Sequence, residues 1–412
     1  MRPRSHRSIR PAGKYLLMGG MLLILALALA VMQPVSQAQG DQTAPRYTVD
    51  PFWPKPLPTT TDASGVARQW ITGSVGATCL DSRGHVITFN RAYETEEPPL
   101  GPLSVPAPPV IEYDAEGNVV HTWGDATLLP GGGTRTLPNG LHGCFVDYMD
   151  NIWVGGYRDG VVQKWTHDGQ TMLLQIGEKG VCDGPVTLSP DAPYPTCGSP
   201  GNNSSKTLLN NPADMFVDPE PDPVTGERGS VYIADGYGNH RVVVFNSQGQ
   251  YLRQWGSAGS GPGQFVATGG GHPHCVIIGN DGLVYVCDRG NNRIQVFDKL
   301  GNLERIIPIE PPAYMKQRIS GSAANDFAFS RDKGQALMFD TDLGSYVVWI
   351  LARESGNIIG RFGRPGRMAG DFILPHSIGI DANENIYVAE TGTGNRVQKF
   401  VPVQGTQAPR TN

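Results

Sequence analysis

Residues 269–297 read GGGHPHCVIIGNDGLVYVCDRGNNRIQVF. An apolar run, an Asn280-Asp281-Gly282 turn, a second apolar run, a polar corner and a third apolar run follow one another. This is the pattern of three antiparallel strands joined by short turns. Two residues are surplus to it: His274, just before the first strand, and Arg289, just after the second. In an antiparallel pair the start of one strand lies beside the end of the next. Both side chains should therefore emerge at one edge of the sheet.

Five other stretches can be laid over this one. They run over residues 75–124, 141–177, 211–256, 325–363 and 374–402, and the first is interrupted by a Pro-rich insertion around 94–109. Each complete unit supplies four short strands. Repeats of this length and strand number predict an all-β chain, a β-propeller of six blades. The sixth unit stops after its third strand. The segment Val66-Ala67-Arg68-Gln69-Trp70-Ile71, similar to the outer strand Tyr251-Leu252-Arg253-Gln254-Trp255, is predicted to complete it. The ring would then close with no open sheet edge. The predicted organisation is a signal peptide over 1–38, a Pro-rich lead-in over 39–66, the six-bladed propeller over 67–403 and a tail over 404–412.

Composition agrees with many strands and turns. Only 17% of the residues are charged, against 53 Gly and 34 Pro. The N-terminus carries Arg2, Arg4, Arg7, Arg10 and Lys14, then an apolar run, then Ser36-Gln37-Ala38, the layout of a secretory signal. An uncleaved membrane anchor is the rival reading, because the run is near the lower limit for spanning. Either way the folded part is expected outside the cytoplasm, secreted or periplasmic. Cleavage would remove five basic residues and no acid from a chain of net charge −5, leaving −10. An acidic domain argues against a nucleic-acid partner, and no membrane partner is expected once the segment is cleaved. The six cysteines of an exported chain should be partly paired. Cys182 and Cys197 bracket one loop. Cys275 and Cys287 stand symmetrically about Asp281 and could face each other across a hairpin. Cys79 and Cys144 fall on inner strands and read equally well as free core residues.

Aligning the units five residues before the first turn brings His142, His274 and His376 to one register. The alternate units carry Gly76, Ala213 and Asn325 there. Alternate blades of a six-bladed ring are related by about 120°, and their inner strands line the channel. Three imidazoles would converge with threefold geometry, which suits a tetrahedral metal with three protein ligands and one open position. The plain alternative is three unrelated, hydrogen-bonded channel histidines. His272 is two residues out of register. His85, His121, His167 and His240 read as surface or turn residues.

The ends of the second strands should open onto the same channel mouth, where the chain offers Arg91, Tyr237 and Arg289. The sixth unit has Thr391 where the fourth has Arg289, so Thr satisfies the corner locally and Arg is surplus to folding. An Arg pair there suits a substrate carboxylate. A Tyr beside cations could ionise more readily and act as a base. Tyr157 and Arg158 are weaker candidates at the same mouth. Arg241, Arg293 and Arg396 recur at third-strand starts and read as structural.

The wording VYIADGYGNHRVVVF, VYVCDRGNNRIQVF and IYVAETGTGNRVQKF resembles the NHL repeat family, whose six-bladed propellers agree with the count of units. DSRGHVITFNRA, HGCFVD, PHCVII, CDRGNNRIQVF and LPHSIGID resemble more narrowly the peptidyl-α-hydroxyglycine α-amidating lyases. That resemblance implies zinc held by His142, His274 and His376, a catalytic Tyr237, and active-site Arg91 and Arg289. The family also holds calcium through an acid directly after the third histidine. That position is Ser377 here, so the calcium set is incomplete. Its backbone carbonyl contacts fall on Val75 and Cys144.

The expected reaction is zinc-dependent cleavage of the C–N bond of a peptidyl-α-hydroxyglycine, or a related carbinolamide, to a peptide amide and glyoxylate. The partner would be a small peptide-like substrate bearing a carboxylate, supplied by a separate hydroxylating monooxygenase, since no copper domain fits in this chain. Two rivals stand beside it: an extracytoplasmic NHL propeller that only binds proteins or ligands, and a metal-dependent lactonase or esterase.

Overall fold

The computed structural model describes residues 44–405 except 62–63, 92–100, 125–136, 188–194, 267–271 and 316–320. The predicted signal segment, most of the tail and part of the insertion lie outside the described residues. Among those described, the chain is all-β, with two single-turn 3-10 elements and no α-helix. No described helix is long and apolar enough to cross a membrane.

Six four-stranded antiparallel sheets carry the fold. Sheet 1 orders Val75–Leu80, Val86–Asn90, Val110–Tyr113 and Val119–Trp123. Sheet 2 orders Leu141–Val146, Ile152–Gly156, Val161–Trp165 and Met172–Ile176. Sheet 3 orders Pro212–Asp218, Ser230–Asp235, Arg241–Phe245 and Tyr251–Trp255. Sheet 4, which carries most of residues 269–297, orders Val276–Ile278, Val284–Asp288, Arg293–Phe297 and Leu303–Pro308. Sheet 5 orders Asp326–Phe329, Leu337–Asp342, Val347–Ala352 and Ile358–Phe362. Sheet 6 orders Pro375–Ile380, Ile386–Glu390, Arg396–Pro402 and, from the other end of the chain, Tyr47–Val49.

Local chemistry explains the hairpins. The turn after an inner strand is held by an Asp that accepts backbone N–H groups two and four residues on. Asp81 takes Arg83 and His85, Asp147 takes Met149 and Asn151, and Asp381 takes Asn383 and Asn385. These are Asx turns, which substitute a side-chain acceptor for a backbone one. The second strands are buried on both faces, because each sheet packs on its neighbours. Sheets 1 and 2 share a core around Phe89, Ile152 and Trp165, sheets 3 and 4 one around Val244, Phe265 and Val284. Sheets 6 and 1 meet through Tyr387, Val86 and Trp53.

Two boundary expectations are corrected. The strand that completes sheet 6 is Tyr47–Val49, paired Tyr47 to Pro402, Thr48 to Val401 and Val49 to Phe400. It lies inside the stretch read as a lead-in, so the fold begins before residue 67. The segment assigned that task, Ala67–Ile71, joins instead a small separate sheet with Thr59–Thr61 and, in parallel, Ser104–Pro106. The apolar faces decide: Tyr47 and Val49 pack on the core shared by sheets 5 and 6, while Trp70 packs on the core between sheets 6 and 1.

All six cysteines are paired. Cys182–Cys197 and Cys275–Cys287 form as the sequence suggested. Cys79 and Cys144 are not free core residues: they bond to each other and tie the inner strand of sheet 1 to that of sheet 2. The neighbouring inner strands bring their Cα atoms to 5.6 Å, within bridging range.

Candidate metal centre and channel site

Four of the six inner strands break register at one place. In sheets 1, 3 and 6 the residue skipped by the ladder is Gly76, Ala213 and His376, and in sheet 2 the irregularity spans His142. A bulge of this kind re-aims a side chain. Here it turns the histidine position toward its counterparts. The ring centroids of His142, His274 and His376 form a triangle with sides of 4.9, 5.0 and 4.6 Å. All three are buried, and their ligand nitrogens lie within 4.8 Å of one another. The glycine of sheet 1 has its own reason. A Cβ at Gly76 would run into the Leu141 carbonyl and the Arg91 guanidinium.

Each imidazole is oriented by a backbone carbonyl of the next sheet. Nδ1 of His142 lies 2.7 Å from Ala213 O, that of His274 2.6 Å from Asn325 O, and that of His376 2.8 Å from Gly76 O. A carbonyl only accepts, so each Nδ1 carries a hydrogen and donates it. Burial, with the nearby positive charge of Arg289, holds His142 and His274 well below the usual histidine range and His376 at about 3, and Arg91 adds to the effect on His142 and His376. The rings are therefore neutral near pH 7, and each Nε2 presents a lone pair. A carbonyl that takes the Nδ1 hydrogen fixes the tautomer and the ring orientation that a metal at Nε2 requires. The trio fits a divalent cation with three nitrogen ligands.

Tyr237 closes the site from the end of the second strand of sheet 3. Its hydroxyl lies 2.9 Å from His142 Nε2 and 3.0 Å from His274 Nε2. Arg289 lies over its ring at 5.7 Å. Burial pushes the phenol above its ordinary value, against the downward pull of Arg289 and Arg91. Easier ionisation, expected from the cations alone, is thus outweighed by desolvation. Arg91 donates to Thr391 Oγ1 at 3.0 Å and lies 5.6 Å from the ring of Tyr157. Tyr157, a weaker candidate in the sequence, packs with its ring tilted 44° against Tyr237 at 5.1 Å and lies edge-on to His142 at 5.5 Å. Arg158 donates to the Tyr157 hydroxyl at 2.9 Å.

Two further residues, for which the sequence carries no signal of a role, belong to this constellation. Asn325, at the histidine register in sheet 5, accepts from Arg289 Nη1 at 2.9 Å and donates to the His376 carbonyl, while its own carbonyl holds His274. Thr391 does not merely satisfy its corner. It joins Ser74 Oγ at 2.8 Å and Arg91. Arg241, Arg293 and Arg396 are structural as expected, each bonded to the acid ending the preceding strand, Asp235, Asp288 and Glu390. His272 accepts a backbone N–H from Gly290. His240 is buried rather than superficial.

On the other side of the trio a cavity of about 330 Å³ runs along the inner strands. Tyr237 and the two arginines do not line it. Asp214 and Asp326, one residue beyond the histidine register in the alternate sheets, do. Burial and the charge of Asp326 raise Asp214 well above the carboxylate range, and burial raises Asp326 to about 7. The two residues assigned to calcium through their carbonyls, Val75 and Cys144, fall at different positions of the repeat. Cys144 stands two residues beyond His142, whereas its counterpart in sheet 1, past the Gly76 bulge, is Thr78. It is Thr78 whose N–H donates to Ser377 Oγ at 3.1 Å, while Val75 pairs with Asn90 at the strand's start.

Residues 271–297 match the family model described as NHL repeat. The human NHL repeat-containing protein 3 is 24% identical over 369 residues, covering 87% of this chain and 84% of that protein. The rat peptidylglycine alpha-amidating monooxygenase is 26% identical over 350 residues, covering 80% of this chain but 30% of that enzyme. A Caenorhabditis elegans protein described as a probable peptidyl-alpha-hydroxyglycine alpha-amidating lyase is 24% identical over 255 residues, 58% of this chain and 60% of that one. The chain thus spans under a third of the rat enzyme's length.

Proposed function

We propose that the six sheets are the blades of one closed propeller, and that its channel holds the site of a metal-dependent carbon–nitrogen lyase. The substrate class is a peptidyl-α-hydroxyglycine or a related carbinolamide, and zinc is the expected metal. One observation carries this reading. Two imidazole lone pairs sit 2.9 and 3.0 Å from a single phenol, which has one hydrogen to give. A cation among the three Nε2 atoms resolves that shortage. The similarity to amidating lyases favours the same chemistry.

A divalent ion on the trio would supply Lewis acidity that favours ionisation of the substrate hydroxyl. Arg91 and Arg289 hold the substrate carboxylate with charge-assisted hydrogen bonds. A cation on the trio, added to Arg289 and Arg91, would offset the burial that raises the phenol, and Tyr237 in its ionised form takes the hydroxyl proton. The hydroxyl carbon becomes the aldehyde of glyoxylate as its bond to nitrogen breaks, and the departing amide nitrogen takes up one proton. Asn325 keeps Arg289 and His274 in fixed relation throughout. The α-hydroxyglycine would come from a separate hydroxylating enzyme. The basic and apolar N-terminal segment, with three disulfides, favours an exported protein.

The test is glyoxylate release from a synthetic α-hydroxyglycine peptide, with metal content measured on the same sample. Release that depends on the metal and on Tyr237 supports the reading. A metal-replete protein releasing no glyoxylate defeats it and leaves the binding scaffold.

A further inference from the structure

A second group of ligand-type side chains lies away from the channel, across the turns of sheets 1 and 2. Asp81 opens the first turn of sheet 1, Glu112 lies on its third strand, and His167 follows the third strand of sheet 2. His167 Nε2 stands 3.7 Å from Asp81 Oδ2 and 3.3 Å from Glu112 Oε2. The two carboxylates are almost fully enclosed, at 0% and 4% side-chain exposure, so their charges need a cation.

That cation is now the guanidinium of Arg83. Its Nη2 lies 2.6 Å from Asp81 Oδ2, 2.8 Å from Glu112 Oε1 and 2.7 Å from His167 Nε2. Three acceptors surround one nitrogen that carries two hydrogens. The histidine is an acceptor here, because Arg83 Nη2 can only donate to its Nε2, while its Nδ1 donates to the Asp150 carbonyl at 3.0 Å. His85 Nδ1 adds a contact to Glu112 Oε1 at 2.6 Å, which orients that carboxylate. Two oxygens and one imidazole nitrogen converging from three elements form a ligand set for a borderline divalent ion. Arg83 does not block the place permanently, since its side chain is 53% exposed and can swing into water.

The geometry points to a second divalent-metal site formed by Asp81, Glu112 and His167, in which Arg83 is a displaceable stand-in for the ion. A bound ion joins sheet 1 to sheet 2, the same pair bridged by Cys79–Cys144. Its role is to clamp those two sheets, separately from the channel chemistry.

Calorimetric titration of the full chain with Zn2+ tests this, with Arg83→Ala, Glu112→Gln and His167→Gln beside the wild type. Arg83→Ala should bind one equivalent at least about tenfold more tightly than the wild type, since a competing cation is gone. Glu112→Gln and His167→Gln, placed in the Arg83→Ala background, should abolish that gain and the Zn2+-dependent rise in melting temperature. Any equivalent taken by the channel histidines is common to all four proteins and cancels in the comparison. Identical isotherms for wild type and Arg83→Ala would overturn the site. So would a gain that survives both Glu112→Gln and His167→Gln.

Discussion

The hydroxyl of Tyr237 lies 2.9 Å from Nε2 of His142, on residues 95 positions apart in sequence and on adjacent sheets. The contact puts the candidate base beside the candidate metal. Tyr237→Phe removes the proton acceptor and leaves the imidazoles and their carbonyl partners in place. Turnover should fall by about 10²–10⁴, the usual worth of a positioned acid or base. Metal content should stay at the wild-type ratio. Paired glyoxylate and metal assays check this, and loss of metal together with activity would move Tyr237 from base to scaffold.

Asn325 is expected to act through its neighbours. Asn325→Ala frees the Arg289 guanidinium from its 2.9 Å partner while the backbone carbonyl still holds His274. The KM for a substrate bearing the carboxylate should rise roughly tenfold, about the worth of one charge-assisted contact. The effect on kcat should be smaller. A substrate amide, lacking the carboxylate, should be indifferent to the change. Equal losses on both substrates would argue against Arg289 as the carboxylate anchor.

Much of this site was legible beforehand, for a physical reason. A repeat fixes the register of its own strands, so three histidines at one register in alternate units had to face one another. The arginines and Tyr237 followed from the antiparallel rule that sets second-strand ends beside first-strand starts. What escaped depended on contacts between repeats. Cys79 and Cys144 belong to different sheets, and no pattern within either announces the bond. Asn325 looked like a filler at the histidine register, because its bonds to Arg289 and His376 cross two sheet boundaries. Tyr47–Val49 was hidden because three residues among prolines carry almost no periodicity. Asp214 and Asp326 were visible as a repeated offset, one residue beyond the register, but nothing in sequence shows that both face the cavity.

The disulfides should differ in weight. Cys79–Cys144 spans 65 residues and Cys182–Cys197 spans 15. Chain-entropy reasoning gives about 4 kcal/mol for the longer loop and about 3 kcal/mol for the shorter. The Cys79→Ala/Cys144→Ala pair should therefore lower the denaturation midpoint more than Cys182→Ala/Cys197→Ala. Urea titrations of the two double variants, at equal m-value, decide it.

His376 should make the metal-free protein acid-sensitive. Its folded value of about 3 lies below the unfolded value of about 6.5. Between those limits the unfolded chain binds the extra proton, so stability falls as pH drops from 6.5 toward 3. His376→Gln removes that contribution. Its stability, read by urea midpoints in chelator, should decline less steeply over this window than the wild type's.

Asp326 should act with the opposite sign. Burial raises its folded value to about 7, while an unfolded aspartate titrates near 3.9. Between the two the folded state holds the extra proton, so the contribution of Asp326 is full below about pH 4 and is lost as pH rises through 7. Asp326→Asn stays neutral throughout and keeps an oxygen to accept the Ile378 N–H now 3.1 Å from Oδ2. The variant should match the wild type at pH 4 and exceed it at pH 8. Allowing for solvent in the cavity, the gain at pH 8 should be on the order of 2 kcal/mol, a rise in melting temperature of about 2–3 °C for a chain of this length. Scanning calorimetry of metal-free protein at the two pH values separates the outcomes. An equal difference at both would mean that Asp326 is held by its hydrogen bonds alone, with no burial penalty on its charge.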